Sequence, residues 1–300
     1  MSYSRLLINR FPLWRGQTRK GVQYGPAILE SITREIVNTR YPMISNFINA
    51  KYLNNSNDHR SSTVGISDYF LKNLSFREPG KLILNLGGDH GIAMGTIPPM
   101  LVKYPNLKVI WIDAHADINS PKTSMTGNFH GMPLYFISEL CDGKHKYGTF
   151  GDKLFPNKLL LKNLTYVGVR DMDAAEEEVL KKNNIRNYMQ IEIANRGIRA
   201  VVEEIIDKNN LNSNPVHISF DVDSIDPKYC PSTGTRSDNG LRVADVAELC
   251  RRIKQTGNLV SFDLVEFNPL IGDENDVERT VSSIEEILES VLIESTPFIK

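Results

Sequence analysis

Cysteine is scarce in this 300-residue chain: Cys141, Cys230 and Cys250 are widely spaced, odd in number and form no CxxC pair. That excludes a disulfide scaffold and fits a reducing compartment in which the thiols are inert. Positive charge has no surplus either, with 35 lysines and arginines against 36 acidic residues. Nucleic acid and anionic membrane surfaces are therefore not expected as partners, whereas a small molecule is. No apolar run approaches the roughly 18 residues needed to span a bilayer. The N-terminal stretch MSYSRLLINRFPLWRGQ lacks a long apolar core and a small-residue cleavage site, so the expected location is the cytoplasm. Repeats, low-complexity tracts and interdomain linkers are also missing, and residues 1–300 are expected to form a single domain.

What is present is an alternation of short apolar runs with helical patterns. Strands are expected at Leu6 to Ile8, Leu82 to Leu86, Val109 to Ile112, Leu164 to Val169, His217 to Val222 and Leu259 to Val265. Between and after them, helices are expected from Pro26 to Ile36, Val64 to Leu74, Ile92 to Val102 with an interruption at Pro98-Pro99, and Pro133 to Leu140. Further helices are expected at Ala174 to Lys181, Ile193 to Lys208, Ala244 to Lys254 and Val277 to Ile293. This order predicts an α/β fold: a three-layer αβα sandwich whose mostly parallel central sheet is covered on both faces. Sites in such sheets lie at the carboxyl ends of the strands.

The polar clusters fall at those ends. After Val109 to Ile112 come Asp113, His115 and Asp117 at two-residue spacing, which in extended backbone aims all three side chains the same way. Asp221 and Asp223 repeat the spacing after another strand, and His90 closes the Gly87-Gly88-Asp89 turn. Each residue alone has an ordinary explanation, an aspartate as a helix cap or a histidine as a buried donor. Together they make two imidazoles and four carboxylates, and four gathered negative charges require compensation. Two divalent cations neutralise them fully, and the oxygen-rich set without cysteine suits manganese, two ions per chain. A metal pair about 3.5 to 4 Å apart acidifies a shared water, which is the chemistry of hydrolysis.

The motifs GGDH (87–90), DAHADIN (113–119), GNFHG (127–131), SFDVDSIDP (219–227) and STGT (232–235) resemble the ureohydrolases, the manganese family of arginase and agmatinase. GQTRKGVQYGP (16–26) and DLVEFNP (263–269) are most similar to the arginase pattern. The resemblance implies an arginase-like fold and hydrolysis of L-arginine to L-ornithine and urea by a metal-bridging hydroxide. It implies that His90, Asp113, Asp117 and Asp221 hold one manganese, and that His115 and Asp223, with Asp113 and Asp221 bridging, hold the other. His130 would serve as general acid, with Asp117 on the proton's route, and Glu266 would pair with the guanidinium. Asn119 and Thr126 would meet the substrate carboxylate, Asp173 and Glu176 its amine, with Asn128 and Thr235 also binding substrate. A homo-oligomer, a trimer or an assembly of trimers, is implied as well. Two departures stand out: Gly91 where the family usually has serine, and Arg236 where proline is usual. The alternatives are an agmatinase or other C–N hydrolase, a zinc deacetylase of similar fold, and a weakly active amino-acid-binding protein.

Overall fold

The strands β1 (Arg5–Phe11), β2 (Lys81–Gly87), β3 (Lys108–Ile112), β4 (Leu164–Val167), β5 (Arg186–Tyr188), β6 (Val216–Asp221) and β7 (Leu259–Val265) form one parallel sheet. Their order across it is β1-β2-β7-β6-β3-β4-β5. The computed structural model describes residues 5–40, 63–68, 81–143, 155 and 157–293. β4 and β6 are buried along their whole length, as strands of a parallel sheet covered on both faces are.

Helices cover both faces, which makes the three layers expected from the alternation. On one face, α1 (Gly25–Arg40), α6 (Ile198–Asn209), α7 (Val243–Gln255) and α8 (Glu274–Leu292) pack Leu29, Ile205, Leu249 and Ile287 into one cluster with Leu84, Ile218, Phe220 and Phe262. On the other face, α2 (Ala93–Lys103), α3 (Pro133–Ile137) and α4 (Ala174–Lys182) bring Ile97, Phe136 and Leu180 against Ile83, Val109, Trp111 and Tyr166. Among the described residues no helix is long and apolar enough to cross a membrane.

Several elements differ from the sequence expectation. Pro98 and Pro99 lie inside α2 without ending it; every residue from Ala93 to Leu101 is buried, and that packing overrides a propensity that would break an isolated helix. The expected helix Ile193 to Lys208 is two, α5 (Gln190–Arg196) and α6, parted at Gly197, whose φ of 80° a side chain would resist. The helix begun at Pro133 stops at Ile137, because Ser138 is extended and bridges to Leu159. β5 is a three-residue edge strand, RNY, with no apolar run to announce it. Of the helix expected from Val64 to Leu74, residues 63–68 are helical, and the rest lies outside the described residues, as do the polar loop 54–62 and most of 142–157.

One register line carries polar-capable side chains across every strand: Asn9, Asn85, Asp263, Ser219, Trp111, Tyr166 and Asn187 are successive cross-strand partners. They share the face of Ile83 and Val109. Asn9 Nδ2 donates to Asn85 Oδ1 at 2.8 Å, and Asn85 Nδ2 donates to Asp263 Oδ1 at 2.7 Å. Two residues further along, β3 and β6 deliver Asp113 and Asp221.

Candidate metal centre

Asp113 directly follows β3, Asp221 ends β6, His90 follows the turn after β2, and Glu266 directly follows β7. The parallel sheet thus brings four sequence clusters to one edge. The mechanism of convergence differs from the extended alternation read in the sequence. β3 stops at Ile112, and the chain bends: Asp113 Oδ1 accepts from the His115 N–H at 2.7 Å, and Asp117 has a φ of 48°. After β6, Asp221 accepts from the Asp223 N–H at 2.8 Å and opens a tight turn, Val222–Ser224. Carboxylates that cap their own turns, rather than a period of two, aim these side chains.

The six predicted ligands all meet. His90 Nδ1 lies 3.0 Å from Asp113 Oδ2, 3.3 Å from Asp117 Oδ2 and 3.2 Å from Asp221 Oδ2. His115 Nδ1 lies 3.1 Å from Asp223 Oδ2 and 3.4 Å from Asp113 Oδ1. Among the described residues two groups have the spacing to hold a cation, His90 with Asp113 and Asp117, and Asp113 with His115 and Asp223, so that Asp113 belongs to both. The donors fit divalent metal: His90 Nδ1 is fully buried, faces three carboxylate oxygens and has no hydrogen-bond partner among the described residues. Its other nitrogen is fixed by Ser219 Oγ at 2.9 Å, and its ring stacks on Trp111 at 3.9 Å. Trp111 Nε1 in turn donates to Asp113 Oδ2 at 2.9 Å. Ser219 and Trp111 were not singled out in the sequence; their signal is that each stands two residues before a ligand, on the same face of its strand.

Electrostatics register the crowding. Burial works against a charged His90, yet Asp113, Asp117 and Asp221 outweigh it and raise its pKa well above 6.5. His115 is raised likewise, with burial opposed by Asp223 and Asp113. Burial and the neighbouring carboxylates push Asp221 up, and Asp223 to about 6. In the protein by itself, protons on the imidazoles supply the compensation that cations would.

Beside this cluster, Glu266 is 3% exposed and has a φ of 67°. Five non-glycine residues among those described have positive φ; three are asparagines, which tolerate it, and the other two are Asp117 and Glu266. Such strain persists where surrounding contacts impose it. Glu266 Oε1 accepts from the His90 N–H at 2.9 Å and lies 3.1 Å from His130 Nδ1, while Oε2 accepts from Gln17 Nε2 at 2.7 Å. Burial disfavours charge on His130, but Glu266, Asp117 and Asp89 prevail and raise its pKa to about 9.

A cavity of about 270 Å³ opens over the cluster. His115, Asp117, Asp221 and Asp223 form its metal-side wall, with His130, Thr235 and Glu266 adjoining them. Asn119, Thr126, Asp173 and Glu176 also line it. His90 and Asp113 lie beneath, both fully buried. Asn128 is not among the lining residues; its N–H donates to Thr126 Oγ1 at 3.2 Å. Asp173 caps α4, its Oδ1 accepting from Ala175 N–H and Glu176 N–H, and its Oδ2 accepts from Asn119 Nδ2 at 2.8 Å. Asn119 Oδ1 is buried without a hydrogen-bond partner among the described residues. Burial, and then Asp117, raise Glu176 to about 7. All three cysteines are buried, and burial pushes Cys230 and Cys250 up to about 12, in line with inert thiols.

Known proteins resemble this arrangement in both sequence and fold. An arginase from Plasmodium berghei is 46% identical over 195 residues, which is 65% of this chain and 54% of that protein. The mitochondrial arginase-2 of the rat is 36% identical over 292 residues, covering 93% of this chain and 82% of the relative. The chain thus spans little more than half the length of several of the curated relatives it matches. In structure, Entamoeba histolytica arginase, crystallised with L-ornithine, superposes with a TM-score of 0.83 at 27% identity, over 96% of this chain and 99% of that one. The arginase family model matches residues 7–293, almost the whole length, and the chain belongs to the arginase family.

Proposed function

We propose that this protein hydrolyses the guanidinium group of L-arginine to L-ornithine and urea at a binuclear manganese centre. The observation that carries the reading is the convergence of two cation-binding groups sharing Asp113 with a buried carboxylate, Glu266, on the rim of the same cavity. An oxygen-rich donor set with two imidazoles supports manganese, and four carboxylates support two ions per chain. Bound there, such a pair supplies Lewis acidity and an acidified water for attack on an electron-poor carbon.

The chain's own residues supply the rest. Glu266 offers a planar, fixed carboxylate that pairs with a planar cation and aims its central carbon at the metal-side wall. His130, charged at neutral pH, holds a proton beside that carboxylate and delivers it to the ornithine nitrogen as the C–N bond breaks. Asp117 belongs to the cation-binding cluster and its charge acts on His130, which puts it on the proton's route. At the far end of the cavity, Asn119 and Thr126 address the substrate carboxylate, Asp173 and Glu176 its amine, and Thr235 borders the guanidinium. With this reading we place the protein in the cytoplasm as a homo-oligomer built from trimers; sedimentation and cell fractionation test both.

The deciding experiment is urea release from L-arginine and from agmatine, side by side, after loading with manganese and counting bound metal. Arginine-specific release with about two metals per chain is expected. Faster turnover of agmatine would keep the metal centre and overturn the recognition of the amino-acid end. Full metal loading with no urea from either substrate would overturn the reaction.

A further inference from the structure

We infer that Gln17 is a positioning residue for Glu266, delivered by a loop (16–21) that straps the outermost strand, β1, across the site. The inference rests on the proposed pairing of Glu266 with guanidinium. The loop's motif drew notice in the sequence only as part of a family pattern. In the structure it is tied down at each step. Gly16 N–H donates to Asp89 Oδ2 at 2.7 Å, and Gly16 O accepts from the His130 N–H at 3.1 Å. Arg19 Nη1 donates to Gly234 O at 2.6 Å, and Lys20 O accepts from Asn268 Nδ2 at 3.1 Å. Between these ties Gln17, 8% exposed, points its amide at Glu266.

Glu266 needs such a grip. Its positive φ gives the backbone no intrinsic preference for this orientation, and rotation about the side chain would swing the carboxylate plane. Oε1 is held by His90 N–H and His130, and Gln17 Nε2 holds Oε2, so the plane is set from both ends. A carboxylate offers about four acceptor positions, so three donors leave room for a substrate N–H. The donor's neutrality matters as well. A lysine or arginine here would compete with guanidinium for the charge, and of the strap's two cations Arg19 donates to a backbone carbonyl and Lys20 is exposed. Gln17 Oε1 occupies the space beside Gly234, 3.0 Å from where a Cβ on that glycine would stand, so a side chain at 234 would press on the amide.

The test uses the full-length, manganese-loaded protein. Gln17→Met keeps the side chain's length and removes the donor. Inhibition constants are measured for guanidinium ion at millimolar concentration, which carries only the head group, and for L-ornithine, which carries the amino-acid end. We expect guanidinium to bind about tenfold more weakly, kcat/KM for arginine to fall by a similar factor, and ornithine binding to stay within about twofold, with metal content unchanged. Gly234→Ala, which displaces the amide without removing it, should shift guanidinium in the same direction by less. It decides on the same readout if Gln17→Met loses metal. Unchanged guanidinium binding overturns the assignment, and so does an equal loss for both ligands, which would mark the loop as merely structural. A wild-type protein that neither releases urea nor binds guanidinium would show, before any variant is made, that the functional reading itself has failed and this assignment with it.

Discussion

The two faces of the sheet are buried alike but built differently. Under α1, α6, α7 and α8 the central strands present Leu84, Ile110, Ile218, Phe220, Phe262 and Leu264, all fully buried. On the opposite face the same strands present Asn85, Asp263, Ser219 and Trp111 in one register line, with Thr96 of α2 donating to Asp263 from above. Burying polar groups is costly unless each is paired, so the second face gives up hydrophobic stabilisation for a hydrogen-bonded floor beneath the candidate metal ligands. One face stabilises the fold, and the other also orients His90 and Asp113.

That division can be broken at either face. The largest effect is expected from Asp113→Asn, because Asp113 belongs to both cation-binding groups: bound metal should fall below about one per chain and urea release by about a thousandfold or more. Elemental analysis showing both metals retained would contradict the shared role. On the apolar face, Leu264→Ala should cost about 2–5 kcal/mol of stability in a denaturant titration while leaving metal content and the turnover of folded molecules unchanged. Loss of metal there would erase the distinction between the faces.

A pH series sharpens it further. In the metal-free protein His90 and His115 have pKa values raised above the ordinary 6.5, so the stability they confer is complete below that value and drains away as pH rises through the higher folded values. Metal affinity moves oppositely, because each cation must displace those protons. The gap in melting temperature between metal-loaded and metal-free protein should therefore widen as pH rises above about 6.5. A narrowing gap would count against charged imidazoles as the metal-free compensation. The smallest of these effects belongs to the polar floor. Ser219→Ala, which leaves His90 Nε2 unpaired, should weaken metal binding roughly 10- to 100-fold with little change in fold stability. Competition with a chelator reads it directly.

Much of this was legible before the structure. The six candidate ligands, Glu266 and the strand that precedes each cluster could be read because an apolar run ending in ligand-type residues is a local pattern, whereas His130, with no strand before it, is named only by the family resemblance. The helix break at Gly197, the unbroken α2 and the strand β5 could not, since each depends on what packs against it. Gln17 escaped notice for a similar reason: it stands 249 residues from Glu266, and a single glutamine in a polar loop carries no signal.

By itself, then, the sequence determined the α/β class, the residue types at the strand ends and the gathered charge that has to be compensated, because periodicity and composition act over short spans of chain. Only the tertiary structure decided that turns rather than strand alternation aim the candidate ligands. The strand order likewise brings β2, β7, β6 and β3 side by side, so that residues from opposite ends of the chain hold one carboxylate. Those outcomes depend on register and long-range packing, which hydrogen-bond geometry between distant segments sets and no local pattern records.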